Sequence, residues 1–69
     1  MKRRSPTIVE MEIIGLVTIG KTNQQIADIT GKSKRTIDGQ ISRILKVLRV
    51  GNRVGIATWA EKHGLKEDR

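Results

Sequence analysis

Between Lys32 and Arg53 the chain carries seven basic side chains, Lys32, Lys34, Arg35, Arg43, Lys46, Arg49 and Arg53, against one acid, Asp38, a local balance of +6. Cations at this density attract a polyanion and release its counterions on contact. In the same segment Ile37, Ile41, Ile44, Leu45 and Leu48 recur at helical spacing, the longest such run in the chain. At about 100° per residue the side opposite this apolar stripe presents Arg35, Gly39, Ser42, Arg43 and Lys46. That side is basic without being bulky: small residues permit close approach and cations neutralise phosphates, a combination suited to a major groove.

Outside the segment the charge nearly cancels, since the 69 residues hold 14 Lys and Arg and seven Asp and Glu, a net +7. The pI is near 10.6. A chain of this length has volume for one hydrophobic core, and with 36% hydrophobic residues it should fold. It has no cysteine and a single histidine, His63, which excludes disulfides, thiolate metal sites and multi-histidine sites. No serine has a plausible base partner, no glycine loop is built for phosphates, and the chain lacks room for an ordinary substrate pocket, so the sequence argues against an enzyme. Neither metal nor cofactor is implied. Trp59 is the sole aromatic residue, too little for single-strand recognition by base stacking. The most apolar stretch, Ile13 to Ile19, is interrupted by Gly15 and Thr18 and falls far short of the ~20 residues of a membrane span. Met1-Lys2-Arg3-Arg4 is followed by Ser5-Pro6 and acids rather than by the apolar run of a signal peptide, so no membrane partner and a cytoplasmic location are expected.

The elements that must position these residues are legible from caps. Thr7-Ile8-Val9-Glu10 has the arrangement of a capping box, starting a helix expected over Ile8 to Ile19, with Val9, Ile13, Leu16 and Val17 on its inner face and Gly20 at its end. Thr22-Asn23-Gln24-Gln25 is a second capping box, and a two-turn helix through Ile26, Ala27 and Ile29 should stop at Gly31. Ser33 can cap the long third helix, which Gly51-Asn52 is expected to break. Asn52 then caps a fourth helix carrying Ile56, Ala57 and Ala60, and Gly64 closes it. The reading is all-α: four helices and no strand, a domain over 7–65, with polar tails at 1–6 and 66–69 expected to be disordered. A short helix, a glycine-containing turn and a longer helix make a helix-turn-helix, whose second helix reads double-stranded DNA.

Lys34, Arg35, Arg43 and Lys46 are the candidates for phosphate or guanine contact. Thr22 and Asn23, at a helix N-terminus, either offer a hydroxyl and amides to a phosphate or serve only as caps. On the fourth helix Trp59 either covers the core or joins Val54, Ala57 and Thr58 in an interface between two copies of the chain. His63 is expected to be exposed and without a role.

Over Thr7 to Leu65, without a gap, the chain resembles the LuxR/GerE-type helix-turn-helix domains of bacterial transcription regulators. The resemblance rests on Glu10 and Glu12, Gly20-Lys21-Thr22-Asn23 with Ile26-Ala27, Ser33 with Thr36-Ile37, then Ile44, Leu48, Val50, Asn52-Arg53 and Gly64-Leu65. It implies a four-helix domain that binds a short, often pseudo-palindromic operator as a homodimer, the third helix in the major groove and the fourth pairing the subunits. It also implies that Asp38, Gly39 and Ser42 face bases, and that Thr36 either meets a phosphate or supports the first turn of its helix. The location implied is a bacterial cytoplasm, on the nucleoid when bound, in a protein expected to act without a receiver or ligand-binding domain.

The chain departs from the family pattern at several positions. Asp38 stands where a basic residue is common: it either accepts from a cytosine amino group or repels unsuitable sites. Gln40 replaces a common histidine, and Gly55 a glutamate that often completes the last cap, so the fourth helix should be less firmly started. Thr30 and Lys32 replace apolar residues, leaving the turn before the third helix less buried. These departures keep open a second function: a protein-interaction module that modulates a larger LuxR-type regulator, by mixed dimerisation, or RNA polymerase. Salt separates the two, because neutralising about six phosphates gives a log–log slope near −5 and an apolar interface gives little. A fragment of sigma-factor region 4 explains the Asn52 to Leu65 end less well.

Overall fold

Each of the four helices among the described residues starts on a side-chain cap. In the computed structural model, which describes residues 6–64, α1 spans Ile8–Thr18, α2 Asn23–Thr30, α3 Lys34–Leu48 and α4 Arg53–Lys62. The side-chain oxygens of Thr7, Thr22, Ser33 and Asn52 accept from the amides of Glu10, Gln25, Thr36 and Gly55 at 3.0–3.1 Å. Glu10 and Gln25 reach back to the amides of Thr7 and Thr22 at 2.9 Å, completing both capping boxes. Each such cap contributes about 1 kcal/mol to its helix. No strand occurs among the described residues, and no helix there is long and apolar enough to cross a membrane. Residues 1–5 and 65–69, with them most of the expected tails and Leu65, lie outside the described residues.

Helix ends follow one scheme with one exception. Behind α1 and α2 the backbone turns left-handed at Gly20 (φ 91°) and Gly31 (φ 74°), and the next amides, of Lys21 and Lys32, return to the carbonyls of Leu16 and Ala27 at 3.1 Å. The first helix therefore ends at Thr18, one residue before its expected limit, with Ile19 as its cap. Behind α3 the left-handed residue is Arg49 (φ 61°, ψ 45°), not a glycine. Its neighbour Val50 donates to the Leu45 carbonyl at 3.0 Å, so the helix stops before the expected break at Gly51-Asn52. The left-handed region costs a residue with a Cβ roughly 1–2 kcal/mol, which the packing of Val50 against the core offsets.

The core is built largely from isoleucine: Ile13, Ile14, Ile26, Ile37, Ile44 and Ile56 are fully buried, joined by Val17, Ala27, Ile41, Leu48 and Ala60. α2 packs mainly on α3, α1 mainly on α4, and α3 also touches α1 and α4. On α1 the inner face differs from the expected one. Val9 is exposed and Leu16 only half-buried, while Ile14 and the Glu10 side chain are buried. α1 is apolar around most of its circumference, so periodicity does not select a face and the packing on α4 decides it. Ile29 of α2 is likewise exposed.

Gly55 explains itself in the packing. A Cβ there would lie 2.7 Å from Val50 Cβ, inside the closest approach of real side chains. The turn of Val50 and the first turn of α4 interlock only because position 55 has no side chain. α4 keeps the Asn52 half of its cap, and with no side chain at position 55 the reciprocal half that completes the boxes of α1 and α2 is missing.

Candidate nucleic-acid interface

α3 divides as its sequence pattern requires. Ile37, Ile41, Ile44 and Leu48 are buried, and Arg35, Gly39, Ser42, Arg43 and Lys46 are all exposed on the other side. Among the described residues Arg35, Arg43 and Lys46 have no hydrogen-bond or ion-pair partner. Three guanidinium and ammonium groups are thus presented with Ser42 and the bare backbone of Gly39 between them, and a phosphate backbone can meet the cations without first displacing an internal partner.

On the border of this face that lies toward α2, the cations are engaged. Lys34 Nζ donates to Asp38 Oδ2 at 3.2 Å, and Asn23 Nδ2 donates to Asp38 Oδ1 at 2.6 Å. Asn23 Oδ1 accepts from Arg53 Nη1 at 2.5 Å, and Arg53 Nη2 reaches the Lys21 carbonyl at 2.8 Å. One chain of contacts therefore runs from the start of α4 through the start of α2 to the first turns of α3. The hydrogen bond from Asn23, and then that from Lys34, hold the Asp38 carboxyl below its ordinary pKa, so it is ionised at neutral pH. Asn23 spends its side chain in this chain of contacts, and the Thr22 hydroxyl caps Gln25. What both residues leave toward solvent is the N-terminal end of α2. The Thr36 hydroxyl accepts from Ser33 Oγ at 3.0 Å, so it supports the first turn of α3 while remaining exposed. On the opposite border Gln40 is half-buried, and its Oε1 is shielded from solvent without a hydrogen-bond partner among the described residues.

The structure separates the four α4 residues grouped from sequence. Val54, Ala57 and Thr58 fall on one stripe, with Val54 72% exposed. The Thr58 hydroxyl donates to the Val54 carbonyl at 3.0 Å, leaving its methyl to complete an apolar surface. Trp59 stands about 140° around the helix from Val54. It is half-buried against the core, and one face of its ring is covered by His63, stacked at 4.0 Å between ring centres and 16° from parallel. His63 Nδ1 lies 2.8 Å from the Trp59 carbonyl, a contact in which the ring donates. His63 is exposed as expected but not without a role: it closes the end of α4 and lids the tryptophan.

Arg53 and the Asn23–Asp38 contact were missed in the sequence reading. The partners stand 30 and 15 residues apart, and no local pattern pairs them. The nearest sequence signal was Asp38 itself, the single acid in a basic segment.

A short α2, a turn at Gly31 and a long α3 that shows a basic side to solvent define a helix-turn-helix domain of the nucleic-acid-binding kind. The family of bacterial regulatory proteins called luxR, or GerE, matches residues 7–60, and the chain belongs to it. It is also similar to the probable transcriptional regulator ycf29 of Guillardia theta, at 28% identity over 53 residues, 77% of this chain and 26% of that protein. The chain thus spans about a quarter of the length of this relative. Membership of this family marks a DNA-binding regulatory domain.

Proposed function

We propose that the protein is a sequence-specific regulator of transcription that binds double-stranded DNA as a homodimer with α3 in the major groove. The observation that carries this reading is the exposed, unpaired set Arg35, Arg43 and Lys46 around Gly39 and Ser42, on a helix whose other side is core. In this arrangement Arg43, Lys46 and Thr36 meet phosphates, joined on the operator by Lys34 and by the α2 N-terminus at Thr22 and Asn23. Arg35, Gly39, Ser42 and Asp38 face base edges. The apolar stripe of Val54, Ala57 and Thr58 supports pairing of two α4 helices, and a two-fold dimer places its half-sites about one helical turn apart.

Selection of bound duplexes from a random pool at near-physiological salt tests this. An inverted repeat is the expected product. No enrichment by folded protein would overturn the reading and favour a protein-docking module, for which RNA polymerase or a larger LuxR-type regulator is the partner to offer. Sedimentation that finds only monomer, free and on the selected duplex, would remove the homodimer.

A further inference from the structure

Asp38 sits between two groups that a phosphate backbone would otherwise engage. Its Oδ2 takes Lys34 Nζ at 3.2 Å and its Oδ1 takes Asn23 Nδ2 at 2.6 Å. Arg53, holding Asn23 Oδ1 from behind, leaves the Asn23 amide nitrogen aimed at the carboxylate. The Lys34 and Asp38 side chains are 55% and 46% exposed, so the pair is open to competition from solvent. An oxyanion that accepts from a lysine and from a side chain at the first position of a helix makes the contacts a bound phosphate makes in such a place.

We infer that Asp38 is an internal competitor for phosphate. In the free protein it occupies Lys34 and Asn23, and DNA gains these two donors only by displacing it. The inference rests on the reading of α3 as the DNA-binding helix. An exposed i, i+4 ion pair is weak, so where the site gives the displaced carboxylate a new partner, a phosphate with its released counterions can take Lys34. The displaced carboxylate then faces the groove. A base offering an amino donor there, cytosine or adenine, satisfies it, whereas a base edge of acceptors alone leaves a charge without a partner beside a polyanion. Asp38 thereby weakens binding to arbitrary duplex more than binding to the operator, and sets selectivity from within the chain. Lys34, although a cation on the DNA-binding helix, adds nothing to non-specific affinity while Asp38 holds it.

The test uses the intact chain, a mixed-sequence duplex and a salt series. Asp38→Asn keeps an acceptor for Asn23 and removes the charge. It is expected to bind this duplex about fivefold more tightly at roughly 0.15 M salt, with a log–log slope steeper by about 0.9, the signature of one added phosphate contact. Lys34→Ala in the native chain is expected to leave affinity and slope nearly unchanged, and to reduce both in the Asp38→Asn background. Equal affinity and slope for the native chain and Asp38→Asn would overturn the inference. So would a slope reduced by about one in Lys34→Ala alone, a result that does not depend on how the Asp38 variant folds. Absence of duplex binding by the native chain and by both variants, all helical by circular dichroism, would instead remove the DNA-binding reading and this inference with it.

Discussion

The two flanks of α3 both meet lysine and arginine side chains and use them in opposite ways. On the outer flank Arg35, Arg43 and Lys46 have no partner among the described residues. On the flank toward α2, Lys34 is paired with Asp38, while Arg53, reaching in from α4, is tied to Asn23 and to the Lys21 carbonyl. Seven cations against one acid is therefore a poor guide to the charge this region offers a ligand. An arginine that spends its donors on a carbonyl and an amide is a structural strut, and its charge is a by-product. What separates the flanks is the proximity of α2: a helix start brings a carbonyl and an amide side chain within reach on one side, and the other side faces solvent.

The comparison breaks most visibly if both outer cations are removed. Arg43→Ala with Lys46→Ala should weaken binding to any duplex about thirtyfold at roughly 0.15 M salt and make the slope shallower by nearly two. The thermal midpoint should not move, because neither side chain holds anything inside the protein. An unchanged affinity would show that α3 does not lie in the groove as proposed.

The next effect reaches the inner flank through its support. Gly55→Ala forces a Cβ against the stiff Val50 at 2.7 Å. Overpacking typically costs 1–3 kcal/mol, and the better helix propensity of alanine returns about 1 kcal/mol. Urea denaturation should therefore report a net loss of about 1 kcal/mol, and a neutral or stabilising result would mean that the turn at Val50 yields more easily than its packing suggests.

Arg53→Ala sharpens the contrast directly, because it deletes a cation of the same segment with a different outcome. It leaves the Lys21 carbonyl and Asn23 Oδ1 without their donor, a cost of about 1 kcal/mol in a half-buried setting. The salt slope for duplex binding should stay where it was. A slope reduced as much as by Lys46→Ala would place Arg53 among the phosphate contacts.

The smallest effect is the titration of Asp38. Its folded pKa is lowered, so the stability it contributes is complete above the ordinary carboxylate value and is lost as pH falls through the lowered one. Urea midpoints of the native chain and of Asp38→Asn should differ by a constant amount from neutral pH down to that ordinary value, and converge only in stronger acid. Convergence already near neutrality would contradict the contacts with Asn23 and Lys34.

All four helix starts were legible in the sequence, because a cap is a matter of three or four consecutive residues. Stops written as glycine were legible for the same reason, at Gly20 and Gly31. The stop at Arg49 was not, since nothing in an arginine announces a left-handed backbone: the need to bring Val50 onto the core imposes it. The face of α3 was legible because polar and apolar residues alternate with the helical period. The face of α1 was not, because its apolar residues run around most of the circumference and one of its two acids, Glu10, is buried. Gly55 could be noticed as a missing glutamate but not explained before Val50 was placed against it.

By itself the sequence determined which segments are helices, where the long basic helix lies, and which of its residues turn outward, because caps and periodicity act within a few residues of chain. Only the tertiary structure decided which cations are free. That choice depends on a carboxylate, an amide and a guanidinium from three helices meeting at the start of α2, across separations of 15 and 30 residues. Electrostatic partnership follows distance in space, and for these groups the packing of the isoleucine core sets that distance.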